Sequence, residues 1–118
     1  MYSEAVLDHF QNPRNAGTLA NATATISTEN PVCGDILELS ARMESGRIAE
    51  ARFRTRGCVT AMACSSYLTE WLQGKTPAEA ARITPGEISN ALGGLAPATY
   101  HSAQLACDAV QALIGKLN

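Results

Sequence analysis

The chain has 118 residues, 9 basic and 11 acidic side chains, and a formal net charge of −2. At 46% hydrophobic and 17% charged, it has the apolar content for one folded domain with one core, spanning residues 1–118, which excludes a disordered chain. The slightly acidic balance gives no electrostatic footprint for nucleic acid, and no apolar run approaches the roughly 20 residues of a membrane-spanning helix. The opening MYSEAVLDHF lacks the basic leader, apolar run and cleavage site of a secretory signal, so the expected compartment is a reducing cytoplasm.

In chain order, the first predicted element is an amphipathic helix over Tyr2 to Phe10, with Val6, Leu7 and Phe10 at helical spacing. Ser3 is its N-cap, and Asn12-Pro13 ends it. Residues Ala22 to Ser27 are rich in Thr and Ile and predict a short strand. Ile36 to Met43 alternates, placing Leu37, Leu39, Ala41 and Met43 on one side and Ile36, Glu38, Ser40 and Arg42 on the other. After a turn at Glu44-Ser45-Gly46-Arg47, Ile48 to Arg56 alternates again, with Arg52, Arg54 and Arg56 along one face. From Cys58 the period becomes helical, with Ala61, Cys64, Leu68, Trp71 and Leu72 on one face and Trp71 as its large anchor, until Gly74 stops it. Thr76-Pro77-Ala78-Glu79 and Thr84-Pro85-Gly86-Glu87 both carry a cap, a proline at the first helical position and an acid. The second of these helices ends before Gly93-Gly94, and a last one runs from about Tyr100 to Leu117. Strands followed by helices give an α+β fold: a small three-stranded antiparallel sheet packed with helices, with a helical C-terminal half.

The four cysteines carry the chemical information. A chain of this size and apolar content needs no disulfide staples, so metal ligation, thiol reactivity or burial must account for each one. Cys33 and Asp35 lie two apart in Cys33-Gly34-Asp35, so an extended backbone points thiol and carboxylate to the same side. Cys58 stands where strand gives way to helix, beside Arg54 and Arg56, a setting suited to metal binding or nucleophilic attack. Cys64 is six residues further on, about 240° around the helix and ~9 Å along it, among apolar neighbours, so it is assigned to the core. Cys107 bears the same relation to His101 and is assigned likewise. Taken alone, His101 fits a surface or capping role, and His9 a structural one. The arginine series is a solvated strand face, with docking of an acidic partner as its functional alternative.

Taken together, the motifs resemble something specific. Tyr2-Ser3-Glu4 with Asp8-His9-Phe10-Gln11-Asn12-Pro13-Arg14-Asn15, then Cys33-Gly34-Asp35, Ala51-Arg52-Phe53 and Gly57-Cys58, are similar to the IscU/NifU-type iron–sulfur cluster assembly scaffolds. Ala63-Cys64-Ser65-Ser66, Thr69-Glu70-Trp71-Leu72-Gln73-Gly74-Lys75 and His101 extend the resemblance over nearly the whole chain. The resemblance implies a scaffold domain that binds iron or a [2Fe–2S] cluster and transfers it to acceptor proteins, with no catalysis on a small molecule. It implies Cys33, Asp35, Cys58 and His101 as ligands, with Ser102 standing where the family has a third cysteine. Two thiolates, an imidazole and a carboxylate suffice for one tetrahedral metal ion, whereas a serine hydroxyl is a poor iron ligand.

The implied partners are a cysteine desulfurase, an electron donor and acceptor apo-proteins. The segment that a chaperone reads in some members is Leu95-Ala96-Pro97-Ala98-Thr99 here, which keeps a proline but lacks the family's lysine and weighs against chaperone delivery. Rival readings are a zinc-holding sulfur acceptor or activator of the desulfurase, a divergent paralogue that no longer builds clusters, and an enzyme using Cys58 and His101 as a nucleophilic pair.

Overall fold

The computed structural model describes residues 2–117. Its elements are α1 (Glu4–Gln11), β1 (Ala24–Glu29), β2 (Ile36–Glu44), β3 (Arg47–Arg56), α2 (Val59–Leu72), α3 (Pro77–Ala80), α4 (Pro85–Ala91), a 3₁₀ turn (Pro97–Thr99) and α5 (Tyr100–Leu117). The expected α+β architecture is present: the three strands form one antiparallel sheet in the order β1-β2-β3. β1 begins two residues later than its composition suggested, because its register against β2 runs from Ala24 opposite Ala41 to Glu29 opposite Ile36.

The sheet buries one face. Leu37, Leu39 and Ala41 of β2 point into the core with Ile26 of β1 and Ile48, Ala51 and Phe53 of β3. Ile48 and Phe53 differ in parity and cannot share a face of a regular strand. A bulge reconciles them: β2 pairs Arg42 with Glu50 but Met43 with Ile48, so one extra β3 residue restores the phase. Ser45 and Gly46 both adopt positive φ (54° and 77°), the backbone of a tight two-residue hairpin turn. Beyond β3 the sheet edge is covered, since Phe53 exchanges backbone hydrogen bonds with Asn15 and Gly17.

Helices α2 and α5 pack on the buried sheet face. α2 has no single apolar stripe: Thr60, Ala61, Ala63, Cys64, Ser65, Ser66, Leu68, Thr69 and Leu72 are all buried. It lies between α1, β3 and α5, so neighbours surround it, and its buried hydroxyls bond locally, Ser65 to the Ala61 carbonyl and Thr69 to the Ser66 carbonyl. Trp71, the expected anchor, packs against the core but is only partly buried, and Lys75 Nζ sits 4.7 Å from its ring centroid. His9 is structural as expected, with Nδ1 2.8 Å from Ser66 Oγ, and it ties α1 to α2. Desolvation holds the His9 pKa below its ordinary value. Ser3 caps α1, and Thr76 with Glu79 forms the full reciprocal capping box on α3. Among the described residues, no helix is long and apolar enough to cross a membrane.

Candidate functional site

One end of the sheet gathers the sequence-assigned ligands. The β1–β2 connection is a closed loop: Asn30 Oδ1 accepts from the Val32 amide at 2.9 Å, and the Asn30 carbonyl accepts from the Gly34 amide at 2.8 Å. The Asn30 amide donates to the Asp35 carbonyl, also at 2.8 Å. Gly34 takes φ +77°, so the chain turns between Cys33 and Asp35 instead of running extended as their spacing suggested. Cys33 is thereby exposed at the loop, while Asp35 sinks to 9% exposure at its base.

Arg56 at the end of β3 pairs with Ile36, which brings the Gly57-Cys58 junction beside Asp35. A Cβ on Gly57 would lie 2.7 Å from Asp35 Cγ and about as close to both carboxylate oxygens, so the carboxylate occupies the space a side chain would need. Cys58 is the N-cap of α2, its Sγ accepting from the Ala61 amide at 3.4 Å. The same sulfur faces Asp35 Oδ2 at 3.8 Å and Ser102 Oγ at 3.7 Å.

The first turn of α5 supplies the remaining groups. His101 Nε2 is 4.0 Å from Asp35 Oδ2. Cys33, Asp35 and His101 each offer a ligand atom within 4.8 Å of the other two. Cys58 joins them through Asp35, whose Oδ2 faces both Cys58 and His101. Donor atoms around a tetrahedral ion with bonds of 2.0–2.3 Å lie roughly 3.3–3.8 Å apart, so Cys33, Asp35 and His101 need only a modest contraction to close on a metal, with Cys58 standing beside them against Asp35. The donors are two soft thiols, one borderline imidazole and one hard carboxylate, a mixture that suits iron or zinc over calcium or magnesium. All four sequence-assigned residues therefore meet at one end of the molecule.

Cys64 and Cys107 are buried in the core, as their helical positions implied. Burial pushes the Cys64 thiol up to about 12 and the Cys107 thiol up to about 11. Their thiolates are thus disfavoured as ligands. One feature was not legible from the sequence: the contact of Gly57 with Asp35, for which adjacency to Cys58 is the only signal. Ser102, at 1% exposure, lies against Cys58, next to the ligands with which the resemblance grouped it.

Comparison with known proteins gives a consistent result. Residues 1–118 match the family described as the NifU-like N terminal domain. An iron-sulfur cluster assembly scaffold protein IscU of Archaeoglobus fulgidus is 44% identical over 114 residues, covering 97% of this chain and 74% of the relative. The iron-sulfur cluster assembly scaffold protein IscU of Escherichia coli is 41% identical over 117 residues, covering 96% of this chain and 91% of its own. Among solved structures, a NifU-like protein (N-terminal) from Brucella abortus aligns with a TM-score of 0.77 at 22% identity, over 97% of this chain and 92% of its own. A putative iron-sulfur cluster assembly scaffold protein for the SUF system from Fervidobacterium islandicum aligns at 0.79 and 22% identity, over 96% of each chain. The chain belongs to the NifU-like N-terminal domain family.

Proposed function

We propose that this chain is a scaffold on which an iron–sulfur cluster is assembled and from which it is passed to acceptor proteins. It acts as a carrier, not as an enzyme on a small molecule. The observation that carries the reading is the convergence of Cys33, Asp35, Cys58 and His101 at one end of the sheet, in a chain whose relatives are named as such scaffolds. The thiolates of Cys33 and Cys58 would bind iron strongly, and His101 would add a neutral nitrogen. Asp35 would add a hard oxygen that soft iron–sulfur chemistry holds weakly, keeping the cargo labile enough to hand on. The exposure of Cys33 beside the buried Asp35 supports the same view, since an acceptor's thiols need a route to the metal.

As cargo we propose a [2Fe–2S] cluster, with a single zinc ion as the second reading. The second is favoured by the donor set itself, which is complete for one tetrahedral ion without Ser102. Sulfur would come from a cysteine desulfurase at the persulfide level, and an electron donor would supply two electrons for each sulfide formed. These thiols must stay reduced, which fits a cytoplasmic setting.

Anaerobic incubation with ferrous iron and sulfide tests the reading. It should yield matched iron and acid-labile sulfide, both transferable to an apo-acceptor, and Cys33→Ala and Cys58→Ala should each abolish retention. Iron without labile sulfide, or sulfide retained equally by both variants, would overturn it.

A further inference from the structure

The outer face of the sheet, away from the helices, bears an arginine column that the cargo site does not use. Arg52, Arg54 and Arg56 alternate along β3, opposite Ser40, Glu38 and Ile36 of β2. Successive residues on one face of a strand lie roughly 6.6–6.8 Å apart, so the three arginines leave β3 at regular intervals. Arg54 and Arg56 are exposed, and among the described residues neither has a carboxylate within ion-pair distance. Arg42 differs, holding Glu44 and Glu50 at 3.1 and 2.9 Å, and Arg52 reaches Glu50 only at 3.9 Å.

Between these strands lies an open hollow of about 340 Å³, lined by Ser27, Ile36, Glu38, Arg54, Thr55 and Arg56. Its charge is uneven. Glu38 stands opposite Arg54 on the β2 side, whereas Arg56 stands opposite the apolar Ile36. Around the hollow, charge is therefore separated, with the free cations Arg54 and Arg56 on β3 and the carboxylates of Glu38 on β2 and Glu29 on β1, in a chain whose overall charge is −2. Ile36 directly follows Asp35, and Arg56 directly precedes Gly57-Cys58, so the hollow adjoins both ligand-bearing segments.

We propose that this face docks an acidic, extended segment of a partner protein, with carboxylates at alternate positions that match the β3 arginine row. Guanidinium–carboxylate pairing supplies the affinity, and the strand-like spacing supplies the register. Glu38 sets direction by repelling a carboxylate on the β2 side, and Ile36 offers an apolar patch to the partner's intervening side chain. A partner so held lies at the end of the sheet that carries Cys33, Asp35 and Cys58. The proposal stands apart from the identity of the cargo, because docking is read on metal-free protein.

The probe is an octapeptide of alternating Glu and Thr, titrated into metal-free ¹⁵N-labelled chain at low salt. Amide shifts should be confined to Ser27, Ile36 to Glu38 and Arg52 to Arg56. Arg54→Glu with Arg56→Glu should weaken binding at least tenfold, and Arg54→Gln with Arg56→Gln should do so to a smaller degree. Arg82→Glu with Lys116→Glu changes the net charge by the same amount and should weaken binding less than twofold. Equal weakening by the two charge-reversing pairs would reduce the effect to overall charge and overturn the proposal. So would shifts centred elsewhere, or displacement of the peptide by an equal charge concentration of inorganic phosphate, which would mark a small-anion site.

Discussion

The carboxylate of Asp35 lies against the backbone of Gly57, in the space that any Cβ there would occupy, 2.7 Å from Asp35 Cγ. Gly57 has no positive φ that would demand glycine, so its requirement is steric and comes from the ligand it accommodates. This contact links the β1–β2 loop to the β3–α2 junction and sets where Asp35 meets Cys58 and His101.

Gly57→Ala should therefore displace the Asp35 carboxylate while leaving the fold intact. Removing the support of a metal ligand typically costs 10–100-fold in affinity, and a loss of about that size is expected for ferrous or zinc ion in a competition titration. Gly115→Ala is the control: it lies in α5 with nothing within 4 Å of the added methyl, and should leave affinity unchanged. Equal affinities for all three proteins would show that the carboxylate's position does not matter.

Ser102→Cys should lengthen the life of a reconstituted cluster. Ser102 Oγ is 3.7 Å from Cys58 Sγ at 1% exposure, so a thiol there would join the existing donors with little change of shape. The decay of visible absorbance under air should slow several-fold, with more sulfide retained per chain. Cys107→Ser should behave like the unmodified protein. No gain in the first variant together with cluster loss in the second would make Cys107 the missing thiolate.

Much of the site was legible because its residues sit at element boundaries with strong local signals. Cys58 caps α2 at the position where strand alternation gives way to helical spacing, and the Cys33/Asp35 pair precedes the best-alternating strand. Composition and spacing could not bring His101 to them, since its approach to Asp35 depends on how α5 packs against the sheet. The family resemblance supplied that assignment. The sheet and its order were readable from β2 and β3, but the bulge near Met43 was not, since it answers the hairpin's tertiary register. Trp71 packs against the core yet stays partly buried, because α2 fills its interior with small residues and with Leu68 and Leu72 on several sides.

Thiol chemistry should separate the cysteines into two pairs. A group near 12 is ionised to roughly one part in ten thousand at pH 8, and Cys64 has no exposed surface either. Iodoacetamide on the native, metal-free chain should modify Cys33 and Cys58 at least a hundredfold faster than Cys64, with Cys107 also protected. Peptide mapping by mass spectrometry reads the order, and denaturation should equalise all four. Comparable native rates would contradict the core assignment of Cys64 and Cys107.

His9 should make stability depend on pH in one direction. Its pKa lies below the ordinary 6.5 in the folded chain, chiefly through burial and then through Arg14, opposed by Glu70 and Asp8. The unfolded chain thus takes up the proton first, so this contribution is present above pH 6.5 and is lost as pH falls through the folded value. Chemical denaturation of metal-free protein between pH 7.5 and 5 should show that decline. His9→Asn keeps a polar partner for Ser66 and should flatten the curve. An unchanged pH slope in that variant would remove His9 from the account.

The mixed donor set is tested most directly by iron K-edge X-ray absorption of the anaerobically reconstituted protein. The expected spectrum contains sulfur scatterers from sulfide and from Cys33 and Cys58, together with a light-atom shell from His101 and Asp35. Its outer-shell imidazole features should disappear in His101→Ala. An all-sulfur shell that is unchanged in His101→Ala would contradict the assignment of Cys33, Asp35, Cys58 and His101 as the cargo site.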